Sequence, residues 1–518
     1  MYVKVVVVSF ILLLLGALIG FLAFPMLFQE LVLRSVNLKP DSETRQMWQK
    51  LPFPMIFKLY VFNVTNPLEI EAGGKPKVQQ VGPLVFEEWK DKFDVVDIEE
   101  ENAVSFNMRN TFILRPDLGL SGEQLITMPH PLLQFMAIGS LGQAEELQAA
   151  VGAGLQLIFK PSSAFVTATF MQLFFDGIDV DCSHEEPAAK AICQQFHDAA
   201  VPGAVPVNAT HYKFSLMGAA IPLHLQGNHT NAGSFKVARS RSKGATVGRV
   251  LQFNGADQLQ VWQETGNGSS CNQLRGTDGT IFAPYMRPQQ GLWSFSAQLC
   301  RSLSPKWQGK TKYNELPAQR YELSFGAPRV GGILTTLASF TNCLLLQLEP
   351  DLSCYCSSYP DDCPADGTMD LVRCSGLPMV ASLPHFYQAE PELVAQVQGL
   401  WPSKQEHAST LIFEQLSGTV LSVFNRLQFS LKVAPVPQVA VMSQLRNLTM
   451  PLFWIEESLQ LDKTITAVLH KKIYRVLGLN NTFRWLAIGV GSLGCALSGI
   501  FLHLRRGDAK RVGASEEQ

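Results

Sequence analysis

Residues 5–28 read VVVVSFILLLLGALIGFLAFPMLF, an uncharged run of roughly 24 residues, enough for a helix to cross the ~30 Å hydrocarbon core of a bilayer. The run is longer than the apolar core of about 7–15 residues in a cleaved leader, and no small-x-small site follows Phe24-Pro25-Met26, so it reads as a retained span. Trp485 to Leu504 is a second such run. Lys4 precedes the first span, and Arg505, Arg506, Lys510 and Arg511 follow the second, so the excess of basic residues places both termini in the cytoplasm. The expected order is a cytoplasmic N-terminus over 1–4, a span over 5–28, an external domain over 29–484, a span over 485–504 and a cytoplasmic tail over 505–518, in the plasma membrane. Gly16 and Gly20, and Gly491, Gly494, Ser498 and Gly499, give the two spans small-residue faces suited to packing together or to dimerisation, and packing is the plainer expectation.

Topology decides the chemistry of the middle. Six cysteines, Cys271, Cys300, Cys354, Cys356, Cys363 and Cys374, form a block that would suggest zinc ligands in a reducing compartment and disulfides in an oxidising one. An external domain makes them disulfides, and the nearby pair Cys182 and Cys193 a local bridge. Six glycosylation acceptors, Asn63, Asn208, Asn228, Asn267, Asn447 and Asn480, agree with a luminal path, although Asn480 lies almost at the membrane.

A formal net charge of −2 supplies no field for nucleic acid. The basic cluster Arg239, Arg241, Lys243 and Arg249 and the acidic run Asp97 to Glu101 read as solvated faces. No G-x-x-x-x-G-K-[ST], H-E-x-x-H or G-x-S-x-G pattern is present, and His130 and His385, flanked by prolines or an aromatic ring, read as structural hydrogen-bonding groups. Neither an enzyme nor a cofactor is expected.

Along the chain, Glu30 to Lys50 reads as an amphipathic stretch resting Leu31, Val32 and Trp48 on the membrane or the domain base. Strand alternation begins at Ile56, with Phe57, Leu59 and Val61 on one face, and continues through 81–86 and 103–114. The region 122–175 changes to helical spacing and predicts three helices, the last over Ala164 to Phe175, as an apical bundle. Short strands return after Phe214 and again over Phe424 to Val433, and Pro451 to Gly478 reads as a helix leading into the second span.

Several stretches resemble the class B scavenger receptors, the family of the fatty-acid translocase and the lysosomal integral membrane proteins. They are Val78-Gln79-Gln80-Val81-Gly82-Pro83, Cys271 to Gly279, Leu299-Cys300-Arg301-Ser302, Cys354-Tyr355-Cys356 and Ser382-Leu383-Pro384-His385-Phe386. Arg45 to Pro52, the Cys182 and Cys193 pair, Pro451 to Glu457 and Gly491 to Gly494 are most similar to the insect sensory neuron membrane proteins. The resemblance implies an α+β membrane protein, with a large antiparallel β-rich external domain, an apical helical bundle and a hydrophobic tunnel. It implies the pairs Cys271 with Cys354, Cys300 with Cys374 and Cys356 with Cys363, a choice among about 15 that spacing leaves open.

It also implies a receptor for hydrophobic lipids in pheromone sensing, in the dendrite or cilium of a sensory neuron, with an odorant receptor or lipid carrier as partner, and a homo-oligomer as a further expectation. The runner-up is a general scavenger receptor for fatty acids, carotenoids or lipoproteins, and an adhesion receptor or ecto-enzyme is the reading of another class. The third apical helix of the family carries basic residues, whereas here Ala168 and Met171 stand in their places and only Lys160 remains. Lys160, Phe165, Phe170 and Phe174 are therefore the expected ligand entrance, with Phe175 on the same apolar face, suited to a neutral ligand; the bundle core is the plainer place for most of these rings. One departure from the family is Arg329 to Gln347, an apolar segment with Cys343, read either as an added strand or as a retained intron.

Overall fold

The computed structural model describes residues 2–198, 201, 203–217, 233–241, 246–262, 270–326, 353–356 and 363–515. Asn228, Asn267, Lys243, Cys343 and the segment from Arg329 to Gln347 lie outside them. The chain divides into two compact units, one of Asn37–Thr311 with Ala318–Gln460, the other of Met1–Val36, Lys312–Pro317 and Leu461–Gln518.

The first unit is built on a 12-stranded antiparallel sheet. In chain order its strands are β1 Met55–Val64, β2 Val78–Ile98, β3 Ala103–Leu114, β4 Ser234–Ala238, β5 Val250–Phe253 and β6 Lys306–Tyr313. They continue with β7 Leu316–Glu322, β8 Thr368–Asp370, β9 Met379–Ser382, β10 Thr410–Glu414, β11 Thr419–Val433 and β12 Leu448–Gln460. Across the sheet they run β5-β4-β3-β2-β1-β12-β11-β10-β7-β6, with β9 joined to β11 and β8 to β9. The central strands β1 and β12 are far apart in sequence, so the fold closes by bringing Leu59 opposite Ile455 and Val61 opposite Phe453.

The alternation read from Ile56 is observed: Phe57, Leu59 and Val61 are buried on one face, although Phe62 on the other is buried as well. The β2 motif Gly82-Pro83 sits where the β1–β2 register shifts. Gly82 has φ 143°, and a Cβ there would lie 2.9 Å from the Tyr60 ring and 3.0 Å from the Leu59 carbonyl, which explains the need for glycine.

Three expectations are corrected. Ala164 to Phe175 is not a helix: Phe165–Thr169 is a strand paired with Leu125–Pro129, followed by a π-helical turn over Gln172–Asp176. The β-branched Val166, Thr167 and Thr169 suit the hairpin, whose other strand is about 40 residues upstream and invisible to a local reading. The apical helices are Pro131–Gly139, Glu145–Phe159 and Pro187–His197. The last two approach closely because Gly154 has no side chain; a Cβ would come within 2.5 Å of the Ala188 carbonyl.

Glu30 to Lys50 is also interrupted. The N-terminal helix ends at Ser35, and a separate helix, Glu43–Gln49, is capped by Ser42, whose hydroxyl accepts from the Arg45 N–H. Trp48 is buried, edge-on to Phe106 at 4.8 Å, and so belongs to the core of the sheet. Pro451 to Gly478 starts within strand β12, whose residues pair with β1 and β11 on both sides, and helix begins only at Lys463.

In the second unit the N-terminal helical stretch, 2–35 with a π turn over Leu18–Ala23, and the C-terminal one, 463–515 with a π turn over His470–Tyr474, pack on each other. Lys4–Ser35 and Lys463–Phe501 are long and apolar enough to cross a membrane. The contact uses the small residues. A Cβ on Gly16 would fall 2.6 Å from the Ala487 Cβ, one on Gly491 2.8 Å from the Leu13 Cβ, and one on Gly494 2.2 Å from the Ser9 hydroxyl. Arg484 lies over the Phe21 ring at 4.5 Å.

Candidate functional site

Strand alternation aims Phe57 of β1, Phe86 of β2, Phe112 of β3, Phe429 of β11 and Phe453 of β12 at one face of the sheet, where Phe86 stands opposite Phe57 and Phe429 opposite Phe453. The turn after the apical hairpin adds Phe170, Phe174 and Phe175. Ring centroids link them into one chain: Phe112 to Phe57 at 5.0 Å, Phe57 to Phe86 at 6.1 Å, Phe86 to Phe175 at 5.0 Å and Phe175 to Phe174 at 6.5 Å. From Phe174 the chain branches to Phe170 at 5.0 Å and to Phe453 at 5.1 Å, and Phe453 stacks on Phe429 at 5.0 Å. Phe112 and Phe175 are half-buried, and the other six are buried.

The expected entrance residues divide accordingly. Phe170 and Phe174 have no accessible surface, and a ring without any lines no space that water can enter, so both are core. Phe165 is buried in the hairpin strand. Lys160 is exposed and closes the helix Glu145–Phe159 in the left-handed conformation, with φ 44°. The structure therefore does not gather these four side chains into a mouth; the accessible members of the chain are the half-buried Phe175, which the sequence places on the same apolar face, and Phe112, which it does not single out.

On the same face, one step along from Phe57 and Phe86, the character changes abruptly. Glu88 stands opposite Phe112, and Lys90 opposite Asn110. The Lys90 ammonium pairs with Glu457 and lies 3.5 Å from Glu88 Oε1, to which Asn110 Nδ2 donates at 3.1 Å. Asn425 Nδ2 donates to Glu457 Oε2 at 3.2 Å. Burial, and then the neighbouring Glu457 charge, hold the Glu88 carboxyl well above the usual carboxylate range. Burial works against the Glu457 charge too, but Lys90 and the hydrogen bonds from its neighbours prevail and hold its carboxyl low. Burial and the shared hydrogen bond thus push the two carboxyls apart, Glu88 upward and Glu457 downward.

The opposite face carries a buried polar and aromatic cluster. His385 and His407 stack at 4.2 Å, and Tyr60 stacks on Trp454 at 3.9 Å. The Trp401 N–H donates to His385 Nδ1 at 3.2 Å, so its Nε2 carries the proton donated to Gln80 Oε1 at 2.8 Å. The Trp454 indole donates to the same Gln80 oxygen at 2.7 Å. Burial pushes His385 down to about 3 and His407 to about 4, so both rings are neutral near pH 7. They hold strand and loop in register and offer no reacting centre. His130 likewise caps a helix, its Nδ1 accepting from the Leu133 N–H at 3.3 Å.

Four disulfides are present among the described residues: Cys182–Cys193, Cys271–Cys354, Cys300–Cys374 and Cys356–Cys363. Trp262 packs on Cys271 and Cys354, its indole donates to the Cys300 carbonyl at 2.6 Å, and Arg301 lies 4.7 Å from its ring and 4.0 Å from that of Tyr355. No group of three or more histidine, cysteine or acidic side chains fit to hold a metal occurs among the described residues. In the basic cluster Arg241 and Arg249 are exposed, as a solvated face requires, whereas Arg239 is buried and pairs with Asp97 and Glu99. Pairing Ala103 with Ala238 brings the acidic end of β2 beside it.

Of the glycosylation acceptors, Asn208 and Asn447 are exposed, while Asn63 is half-buried and accepts from the Thr127 N–H at 2.8 Å. Asn480 lies inside the C-terminal helix and donates to the Gly20 carbonyl at 3.2 Å.

The sequence matches the family model described as the CD36 family over residues 7–502. It is 40% identical over 511 residues to sensory neuron membrane protein 1 of Anopheles gambiae, covering 97% of this chain and 88% of that protein. It is 39% identical over 477 residues to the Aedes aegypti protein of the same name, covering 91% and 82%, and 33% identical over 494 residues to that of Manduca sexta, covering 95% and 88%. The sheet, the two membrane helices, the disulfides and these similarities agree, and the chain belongs to the CD36 family, as a membrane receptor of the class B scavenger type.

Proposed function

We propose that this protein is a receptor, not an enzyme, that takes up a hydrophobic lipid in its external domain and passes it to the membrane or to a neighbouring receptor. The observation that carries this reading is the continuous chain of phenylalanines with accessible members at Phe112 and Phe175. An alkyl chain moved from water onto such a surface gains about 0.8 kcal/mol per buried methylene, so affinity needs apolar area more than specific polar contacts. The names of the relatives support a setting in sensory neurons, and lipid-pheromone detection with an odorant receptor as partner is the finer form of the proposal.

The external domain is assigned to 29–484, with both short termini cytoplasmic, because basic residues flank the spans on their outer ends. Transfer of a labelled long-chain alcohol from solution to vesicles containing the full chain tests the reading. Faster transfer than into empty vesicles is expected, and equal rates would contradict it. Transcript enrichment in sensory neurons supports the finer form, and expression confined to gut or blood cells favours the general scavenger role.

A further inference from the structure

We propose that the cavity between Arg249, Arg275 and Trp293 is a separate ligand site, for a small organic carboxylate with an apolar body. It shares no residue with the phenylalanine chain and stands whether or not that chain carries a lipid. The cavity encloses about 260 Å³, close to the lower end of the ~300–1,000 Å³ of small-molecule sites. Leu274 to Thr277 and, further along the chain, Phe282, Met286 and Trp293 form most of its wall.

The wall is fixed by the backbone before any ligand arrives. Thr277 is bridged to Arg249 and to Ser294, its N–H donates to the Trp293 carbonyl at 3.1 Å, and its own carbonyl accepts from the Phe295 N–H at 2.7 Å. A Cβ on Gly276 would lie 1.8 Å from the Trp293 carbonyl oxygen, so only glycine lets these segments close. Cys271 and Cys300 flank the stretch and are tied to Cys354 and Cys374. A wall held in this way leaves little ordering for a ligand to impose, which favours binding.

The polar groups of the cavity suit an anion. Arg275 donates from Nε and Nη2 to Gln273 Oε1 at 3.1 and 2.8 Å, and its Cζ lies 5.2 Å from the centre of the Trp293 ring. These contacts hold the guanidinium plane and use two of its five N–H groups, leaving donors for a carboxylate, which matches that fork in geometry and charge. The bridge to Thr277 puts the exposed Arg249 in the same wall as a second positive charge. Gln290 Oε1 accepts from the Arg287 N–H at 2.8 Å, so the Gln290 side chain is left with its amide donors. None of the described residues lining the cavity is acidic. Asp278, next to Thr277 in the chain, is 1% exposed at its side chain and pairs with Lys92 at 3.5 Å.

The rest of the lining is apolar: Leu274 and Phe282 are buried, and Met286 and Trp293 half-buried. An organic carboxylate meets both the cationic and the apolar part. An uncharged molecule meets only the second, and a bare anion only the first.

The test titrates the full chain in phosphatidylcholine nanodiscs with para-fluorophenylbutanoate and, separately, para-fluorophenylbutanol, followed by fluorine NMR and corrected with empty nanodiscs. The acid should bind about tenfold tighter than the alcohol, the scale of a charge-assisted hydrogen bond. Arg275→Gln should remove that difference and leave the alcohol unchanged, and acetate in about tenfold excess should not displace the acid. If Arg275→Gln does not fold, Arg249→Gln, at an exposed position, decides by lowering the affinity for the acid at least about threefold. Equal binding of acid and alcohol, a preference for the acid that survives Arg275→Gln, displacement by acetate, or no binding of the acid would overturn the site.

Discussion

The imidazoles of His385 and His407 lie ring on ring at 4.2 Å, both buried and both neutral. Each would have to charge in a site with no room for water, so the unfolded chain, with a histidine pKa of about 6.5, binds protons first as the pH falls. Stability is therefore full above about pH 6.5 and is lost as the pH drops toward the folded-state values of about 3 and 4. At pH 5 the loss should be about 2 kcal/mol per histidine. Thermal melts of the purified protein at pH 7.5 and 5.0 should separate for the wild type and converge in part for His407→Gln. An unchanged separation in that variant would refute the assignment.

Lys92 and Asp278, 2% and 1% exposed at their side chains, are paired at 3.5 Å beneath Trp48. Breaking such a pair from one side leaves a buried charge and costs about 3–5 kcal/mol, while removing both ends costs less. Lys92→Met should lower the melting temperature more than Lys92→Met combined with Asp278→Leu. The reverse order in a denaturation series would show that the pair is not buried.

Much of the sheet was legible from sequence because β1 alternates in the ordinary way, with Phe57, Leu59 and Val61 on one face. The buried charges were not. Residues 87–92, Glu-Glu-Trp-Lys-Asp-Lys, look like a solvated strand, and only the pairing of Lys90 with Glu457, 367 residues away, turns one face of them into an interior cluster. The same distance problem hid the strand at Phe165–Thr169, where apolar spacing fits a helix until its hairpin partner is seen. Phe170, Phe174 and Phe175 stand out in the sequence as an apolar face, but the burial of the first two makes them core, and the accessible Phe112 carries no local signal.

The spans should be sensitive to bulk at Gly16, where a Cβ meets the Ala487 Cβ at 2.6 Å. Ser9→Cys with Gly494→Cys, in a Cys495→Ser background, should cross-link the two helices within one chain on oxidation. Adding Gly16→Leu should reduce the yield severalfold. An unaffected yield would mean that the helices meet on another face.

Peptide mapping without reduction should recover Cys182–Cys193, Cys271–Cys354, Cys300–Cys374 and Cys356–Cys363. Cys300→Ser together with Cys374→Ser should cost about 2–5 kcal/mol of stability, since that bridge closes a long loop. A different set of linked peptides would contradict the arrangement around Trp262 and Arg301.

The proposed path of a hydrophobic ligand follows the phenylalanine chain. Its most direct test is photolabelling of the full-length protein with a long-chain alcohol bearing a diazirine in mid-chain, followed by mapping of the adducts. Adducts on the strands that carry Phe57, Phe86 and Phe112, and on the turn carrying Phe175, are the predicted result. Adducts confined to the membrane helices or to the outer surface would contradict it.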